Sequence, residues 1–271
     1  MKIPKTYEEY FGLVATPFGR DIPVTELVKS RQWNELVSRL VHVARNSGFG
    51  IFTGETGTGK TTALRRMVAE LDKNRYRILY VYDSDLTPRN FYVETLHQLG
   101  HNPRFYRGDV KRQLTKALNE ITQGGLFPVI AIDEAHLLSN EMLEEIRFLL
   151  NMEMDSKCAC SLLLVGQTEL RSKLKLQIHK AIEGRIDMRY HLEGMNYEET
   201  AIYVRRNLER VKCTREIFTE SALKVIYDYS GGTARKINKA AQASLMAAAS
   251  QEKQLIDDYL VKEVIMSELE T

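Results

Sequence analysis

The 271-residue chain is 44% apolar and 27% charged, an ordinary composition for a globular protein that excludes an intrinsically disordered chain. Its 38 basic and 36 acidic residues leave a net charge of +2, so any contact with nucleic acid must come from local clusters of cations. Three cysteines without paired spacing exclude a disulfide scaffold and favour a cytoplasmic protein, and no apolar run approaches the roughly 18 residues of a membrane span.

The first elements lead up to a glycine-rich loop. Residues 1–30 carry aromatic residues and prolines, and we expect an ordered lead-in that packs on the core. Trp33 to Asn46 has apolar residues at helical spacing, and the apolar run Phe49 to Thr53 predicts the first strand. A helix-prone segment, 62–70, follows the loop, so this part of the chain reads as strand, loop and helix.

The loop from Gly54 to Thr61 has the pattern G-x-x-x-x-G-K-T, which is typical of phosphate binding. Its glycines let backbone N–H groups point at a phosphate, and the next helix presents its positive end to the same anion. We expect Lys60 to reach the β- and γ-phosphates of ATP and Thr61 to ligate Mg²⁺. The residues predicted to contact the nucleotide here are Gly54, Glu55, Thr56, Gly57, Thr58, Gly59, Lys60, Thr61 and Thr62.

Alternation of strands and helices continues to about residue 192. Apolar segments predict strands at 78–82, 128–133 and 161–165, and an alternating segment predicts a less buried strand at 188–192. Wholly apolar central strands separated by helices indicate an α/β fold with a parallel, doubly wound sheet. Helical patterns near 197–211, 220–229, 233–250 and 257–269 then predict a small all-helical second domain.

The third predicted strand delivers two carboxylates, Asp133 and Glu134, at its C-terminal end. We predict that Asp133 binds Mg²⁺ through water and that Glu134 orients or deprotonates the attacking water. Acidic pairs are commonly just solvated, but this pair ends an apolar strand in a chain that already has a phosphate loop. A plain GTPase or small kinase would not need Glu134.

Three further polar residues have a functional and a plain interpretation. Gln167, after the fourth strand, is either a sensor of the γ-phosphate or a residue that merely ends a strand. Arg185 is either a surface ion-pairing arginine or a finger that reaches the nucleotide of a neighbouring subunit. Arg235 could contact the γ-phosphate from its own subunit; otherwise it is a cation at a helix start, where cations are mildly unfavourable.

These motifs, in this order, resemble the AAA+ branch of P-loop ATPases, and more narrowly the ExeA/GspA family. The narrower resemblance covers essentially the whole chain, and the segments that carry it are Tyr10–Leu13, Pro17-Phe18, Thr53–Thr61, Ile132–His136, Val165–Gln167, Glu169-Leu170 and Ser230–Gly232. The resemblance implies a five-stranded core in the order 5-1-4-3-2, an AAA+ domain over 1–195 and a helical lid over 196–271. It also implies ATP bound between core, lid and an adjacent subunit of a homo-oligomeric ring or filament.

Members of this family differ in what they do with ATP. Secretion-type members carry a transmembrane helix and a cell-wall-binding domain after the ATPase, and neither is present before Thr271. From this we expect a short form similar to the transposition helpers MuB, IstB, TniB and TnsC, which coat DNA as ATP-bound oligomers and recruit or activate a transposase. The alternative is a secretion-type assembly ATPase that acts on a protein partner. A metabolic P-loop kinase is disfavoured by Glu134 and the lid.

Two groups of cations are candidates for contact with duplex DNA. The first, with two aromatic residues among its cations, contains Arg104, Arg107, Lys111, Arg112 and Lys116; the second contains Arg171, Lys173, Lys175 and Lys180. On a ring, loops after the second and fourth strands would tend to face the central channel and neutralise phosphates without reading bases. The plain alternative for both groups is a solvated surface.

Overall fold

The structure is a computed structural model, which describes residues 6–19, 22–83, 86–150 and 160–269. The chain divides into two compact units. We call Glu35–Gly54 with Lys60–Leu192 the sheet unit, and Met1–Asn34, Glu55–Gly59 and Glu193–Thr271 the helical unit.

A parallel five-stranded sheet is the centre of the sheet unit. Its strands are β1 Phe49–Gly54, β2 Tyr76–Val81, β3 Phe127–Ile132, β4 Ser161–Gly166 and β5 Met188–Leu192. The order across the sheet is β2-β3-β4-β1-β5, which confirms the predicted order 5-1-4-3-2 and the AAA+ P-loop fold class. In the interior strand β1, Ile51 lies beside Leu164 of β4 and Arg189 of β5.

Helices are present in all the segments for which the sequence analysis predicts them: 33–46, 62–70, 197–211, 220–229, 233–250 and 257–269. They run α1 Tyr7–Phe11, α2 Arg31–Arg45, α3 Lys60–Glu70, α4 Pro88–Gln98, α5 Arg107–Gln123, α6 Asn140–Leu149, α7 Glu169–Leu174, α8 Lys180–Glu183, α9 Tyr197–Arg210, α10 Glu220–Ser230, α11 Ala234–Ser250 and α12 Asp258–Val264. Within the described ranges, no helix is long and apolar enough to cross a bilayer.

Burial explains the apolar character of the strands. Every residue of β1 and β4 is buried, as expected for parallel strands with both faces covered. The main core of the sheet unit joins Leu79 and Ile130 of the sheet to Phe91 of α4, Leu114 of α5 and Ile146 of α6. The carboxyl ends of the strands meet at one edge, and this edge carries most of the polar residues predicted from the sequence.

The helical unit has its own core, built mainly from α9 to α12. Asn196 begins α9 with the predicted capping box: its side chain accepts from the Glu199 N–H at 2.8 Å, and Glu199 accepts from the Asn196 N–H at 3.2 Å. The glycine pair after α10 permits a close backbone approach. A side chain on Gly232 would place its Cβ 1.8 Å from the carbonyl oxygen of Met195, so only glycine fits there.

The described part of the lead-in packs on the helices of the helical unit. Phe11, Leu13 and Phe18 are buried in the core of the helical unit, and α1 contacts α11. Arg210 of α9 also donates to the carbonyl oxygens of Thr16 and Pro17, at 3.0 and 2.9 Å. The lead-in therefore groups with the helices, because its aromatic side chains fill their core. The predicted domain limits themselves stay a prediction.

Candidate functional site

A buried carboxylate is the centre of the site in the sheet unit. Asp133 directly follows β3 and is 4% exposed. Its Oδ2 accepts from the Thr61 hydroxyl at 2.8 Å, and its Oδ1 accepts from the Glu134 N–H at 2.9 Å. Lys60, at the start of α3 and 7% exposed, donates its ammonium to the carbonyl oxygen of Gly54 at 2.7 Å. The fold thus brings together Lys60, Thr61 and Asp133, as the sequence predicts.

These groups suit a hard cation. A hydroxyl and a carboxylate supply oxygen ligands, which Mg²⁺ prefers, and Mg²⁺ commonly uses few protein ligands and completes its shell with water and phosphate oxygens. Across the described ranges, no group of three or more His, Cys, Asp or Glu side chains forms a metal cage. The chemistry of the donors therefore fits Mg²⁺ bound together with a phosphorylated ligand better than a metal enclosed by protein.

Glu134 stands in an unusual backbone conformation. Its φ of 51° and ψ of 33° lie in the left-handed region, which few residues other than glycine adopt. Such conformations cost free energy and cluster at functional sites. The carboxylate is half exposed and lies 3.5 Å from Nδ1 of His136. The turn after β3 therefore leaves the Glu134 carboxylate at the surface, and a water molecule can reach it there.

His136 connects the ends of β3 and β4. Its Nδ1 accepts a long hydrogen bond from the backbone N–H of Gln167, at 3.4 Å. The end of β4 comes close to the segment after β3 because residue 166 is a glycine. A Cβ on Gly166 would lie 2.9 Å from the backbone nitrogen of His136. Gln167 is thus brought next to the segment that carries Glu134, although its role as a γ-phosphate sensor stays a prediction.

The middle of the phosphate loop, Glu55–Gly59, belongs to the helical unit. Gly57 and Gly59 have φ of 85° and 104°, which glycine adopts without strain. The carbonyl oxygen of Gly57 accepts from the backbone N–H of Arg235 at 3.1 Å, at the start of α11. A Cβ on Gly57 would lie 2.6 Å from Cβ of Arg235, so this loop position also needs a glycine. The helical unit therefore places the exposed Arg235 beside the loop.

Trp33 is a loop contact that the sequence patterns did not single out. Its indole N–H donates to the carbonyl oxygen of Gly59 at 3.3 Å, and the side chain is buried. We predicted only that Trp33 lies on the buried face of a helix. Its place on α2, the helix before β1, was visible in the sequence, but its hydrogen bond was not.

Arg185 lies between α8 and β5 and is partly buried. Its backbone N–H donates to the carbonyl oxygen of Ile182 at 3.0 Å, so the residue closes the turn that ends α8. The structure contains one subunit, and a contact of Arg185 with a neighbour's nucleotide stays a prediction.

The first basic cluster is largely paired inside the chain. Arg107 donates to Glu141 and Glu145, both at 2.7 Å, and Lys111 donates to Glu145 at 2.5 Å. Arg112 pairs with Asp109 at 2.6 Å, and Lys116 lies 3.6 Å from Glu120. The acids Glu141 and Glu145 come from α6, outside the sequence window in which the cations were counted. The local excess of positive charge is therefore smaller than the sequence suggests. Arg104 is exposed, and no acidic residue lies within two positions of it along the chain.

Members of the second cluster have two different environments. Lys173 donates to the carbonyl oxygens of Leu138 and, at 3.4 Å, His136, so it supports the segment after β3. Arg171 and Lys175 instead line a pocket of about 260 Å³ together with Arg189 of β5. The assignment of Arg104, Arg107, Lys111, Arg112, Lys173 and Lys175 to DNA stays a prediction.

Comparison with known proteins finds a family profile and a relative that match this chain. A family profile described as "AAA domain" matches residues 43–174. General secretion pathway protein A of Aeromonas hydrophila is 31% identical over 245 residues, which are 89% of this chain and 45% of that protein. The chain thus spans less than half the length of this relative.

Two solved structures share the fold. Cdc6p from Pyrobaculum aerophilum has a TM-score of 0.72 and 18% identity, and the match covers 95% of this chain and 72% of that one. A chain of the Drosophila ORC bound to DNA has a TM-score of 0.70 and 17% identity, covering 96% and 65%. At these identities the likeness shows the fold alone.

Proposed function

Because the chain has the fold of AAA+ P-loop NTPases, we propose that it is an Mg²⁺-dependent ATPase that acts as a homo-oligomer and, in its ATP state, binds duplex DNA without sequence preference. In this proposal it recruits or regulates a transposase in the cytoplasm. The observation that carries the ATPase proposal is the hydrogen bond between the Thr61 hydroxyl and the Asp133 carboxylate, next to the buried Lys60. It brings two candidate Mg²⁺ ligands together beside a phosphate loop.

The residues would divide the work of hydrolysis. Lys60 would stabilise negative charge on the β- and γ-phosphates, and Thr61 and Asp133 would hold Mg²⁺, which neutralises phosphate charge when bound. Glu134 would accept a proton from water as the water oxygen bonds to the γ-phosphorus and the bond from that phosphorus to the bridging oxygen breaks. The products are ADP and phosphate. The half-exposed Glu134 carboxylate supports this role, because water can reach it.

Oligomerisation rests on Arg185 and on the resemblance to AAA+ proteins. An arginine that reaches a neighbour's γ-phosphate would make turnover depend on assembly. Mixing inactive Arg185→Ala and Lys60→Ala subunits should then restore turnover at interfaces that combine an intact loop with an intact arginine. Mixtures without activity, in protein that still assembles, would contradict a finger acting between subunits.

The DNA part of the proposal is supported by fold and by exposed cations. Arg104 and Lys175 are exposed, and the Drosophila ORC chain with the same fold is described as bound to DNA. Contacts of this kind reach phosphates and carry little sequence information. The fold comparison supports DNA as a candidate ligand, and the transposase rests on the family resemblance alone.

A second function has its own support. General secretion pathway protein A matches 89% of the chain at 31% identity, and the partnering of Arg107 and Lys111 with Glu145 lowers the charge of the first basic cluster. Both observations favour an assembly ATPase with a protein partner, whose basic residues are structural or solvated. The two candidates share the ATPase site and differ in what stimulates it.

Two measurements test these proposals in order. The first is nucleotide binding, followed through Trp33, the single tryptophan of the chain, whose indole contacts the loop carbonyl of Gly59. Lys60→Ala should abolish binding, whereas Glu134→Gln should retain it and lower turnover by a factor on the order of 10² to 10⁴. Normal turnover of Glu134→Gln would remove Glu134 from the mechanism.

The second measurement is phosphate release with and without duplex DNA, at low and high salt. The DNA proposal predicts stimulation that falls steeply as salt rises, and a loss of stimulation in the double variant Arg104→Ala, Lys175→Ala. Lys73→Ala, which removes an exposed cation from the turn before β2, is the matched control. An active ATPase that neither binds DNA nor responds to it would favour the assembly ATPase.

A further inference from the structure

The Asp133 carboxylate accepts a third hydrogen bond, and the donor of this bond belongs to neither motif. The hydroxyl of Tyr80, on β2, donates to Oδ2 of Asp133 at 3.0 Å. This is the same oxygen that accepts from the Thr61 hydroxyl at 2.8 Å. Oδ2 of Asp133 thus accepts two hydrogen bonds, one from the Thr61 hydroxyl on α3 and one from the Tyr80 hydroxyl on β2.

Tyr80 is fixed in place by the sheet and by α4. Strand pairing sets Tyr80 beside Ala131, two residues before Asp133. On the outer edge of β2, the side chain of Gln98 accepts from the Tyr80 N–H at 3.0 Å and donates to its carbonyl oxygen at 2.7 Å. The ring stacks on Tyr82, with centroids 5.8 Å apart. The hydroxyl is therefore presented to Asp133 by a backbone that has little freedom to move.

The hydroxyl is also suited to act as a lasting donor. A phenol in this position can donate one hydrogen bond to the carboxylate whether or not a cation is present.

We propose that Tyr80 is a positioning residue for the metal, resting on the ATPase function proposed above: its hydroxyl orients the Asp133 carboxylate toward a Mg²⁺ ion bound by Thr61. The Thr61 hydroxyl has one proton to donate to Asp133 and lone pairs left for a cation, so it would serve both groups. Tyr80 is the side-chain donor that holds Asp133 Oδ2 without being a candidate metal ligand itself. Hydrogen bonds that orient metal-binding groups in this way commonly change metal affinity by a factor of about 10 to 100.

The test uses Mn²⁺ as a spectroscopic substitute for Mg²⁺. Mn²⁺ binding to the full chain is measured by electron paramagnetic resonance with a saturating non-hydrolysable ATP analogue. Tyr80→Phe keeps the ring and its stacking on Tyr82 but removes the hydroxyl, and we expect Mn²⁺ to bind about tenfold more weakly. The Mg²⁺ concentration that gives half-maximal turnover should rise by a similar factor, while the analogue's own affinity without metal stays unchanged.

Tyr82→Phe is the matched control, because Tyr82 is on the same side of the sheet edge and its side chain is 73% exposed. It should bind Mn²⁺ as the unmodified protein does. Thermal unfolding without metal separates positioning from a merely structural role: a structural tyrosine would lower the melting temperature and leave Mn²⁺ affinity alone.

The possible outcomes are distinct. Unchanged or tighter Mn²⁺ binding by Tyr80→Phe would overturn the role of Tyr80, while the ATPase proposal would stand. Failure of the unmodified protein to bind Mn²⁺ together with the analogue would instead contradict the proposed function itself. A weakened affinity in Tyr80→Phe alone, with normal binding in Tyr82→Phe, would support the assignment.

Discussion

Asp133 and Glu145 are two nearly buried carboxylates of the sheet unit, 4% and 6% exposed, with opposite surroundings. Among the described residues, the donors that reach Asp133 are two hydroxyl groups and one backbone N–H, all of them neutral. Glu145 is reached by two cations, Arg107 and Lys111. A buried charge needs compensation, so a carboxylate with neutral donors is suited to a cation from outside the chain.

The surroundings of Glu145 explain why its network is structural. The hydroxyl of the fully buried Tyr92 also donates to this carboxylate, so α4, α5 and α6 meet at one acid. Burial alone raises the pKa of Glu145, but hydrogen bonds from Lys111, Tyr92 and Arg107 outweigh it and leave the pKa below its ordinary value. The charge of Glu145 is thus already compensated inside the protein.

The largest contrast between the two carboxylates should appear in metal binding. Asp133→Asn removes the negative charge that faces Thr61, and we expect Mn²⁺ affinity in the presence of an ATP analogue to fall about 100-fold. Glu145→Gln removes a negative charge of the same sheet unit and should leave that affinity unchanged. Equal losses in both variants would mean that general charge, and not the position of Asp133, attracts the cation.

Stability should show the reverse order. Glu145→Gln removes the charge that two cations and Tyr92 share, and we expect the free energy of unfolding to fall by about 2 kcal/mol. Asp133→Asn removes a buried charge that has only neutral donors, so it should leave stability unchanged or raise it. Both values come from urea unfolding at pH 7 without metal or nucleotide.

Glu144→Gln is the control for the stability measurement. Glu144 is on the same helix as Glu145 and pairs with Arg147, but its side chain is 39% exposed. It should change the free energy of unfolding by less than about 0.5 kcal/mol. A loss in Asp133→Asn as large as that in Glu145→Gln would show that the two carboxylates are both structural.

The surroundings of Asp133 show which parts of the molecule can be predicted from the sequence. Lys60, Thr61, Asp133 and Glu134 were predicted because each stands within a short motif next to an apolar strand. The strands were found from their apolar runs, and their order came from the family resemblance and is confirmed. Local spacing and strand character are properties of the sequence itself.

The residues that were missed act over long sequence separations. Glu145 lies 38 and 34 residues from Arg107 and Lys111, and Tyr80 lies 53 residues from Asp133. A count of charges along the chain therefore overestimated the basic cluster. A signal for Tyr80 did exist: a polar aromatic residue near the end of β2 becomes a neighbour of Asp133 once β2 is known to lie next to β3.

The stability difference between the unmodified protein and Glu145→Gln should depend on pH. Because the folded-state pKa of Glu145 is lowered, its contribution is complete above the ordinary value of 4.5 and is lost as the pH falls through the folded-state pKa. We expect the difference of about 2 kcal/mol at pH 7 to be smaller at pH 4. Urea unfolding of both proteins at the two pH values measures this, and a difference that grows toward low pH would contradict the lowered pKa.

The smallest expected effect concerns the cations themselves. Lys111→Met keeps most of the side-chain volume and removes the ammonium that donates to Glu145, leaving Arg107 and Tyr92 as donors. The Lys111 side chain is 39% exposed, so water already weakens its ion pair with Glu145 in the folded protein. We therefore expect Lys111→Met to lower the free energy of unfolding by only about 0.5 to 1 kcal/mol. Lys116 lies five residues further along α5; its ammonium is 3.6 Å from Glu120 and its side chain is 79% exposed. Lys116→Met should therefore cost almost nothing. Lys111→Met could instead leave the free energy of unfolding unchanged and abolish stimulation by DNA. Lys111 would then bind a ligand and not support Glu145, and a cation beside the structural carboxylate would have a functional role.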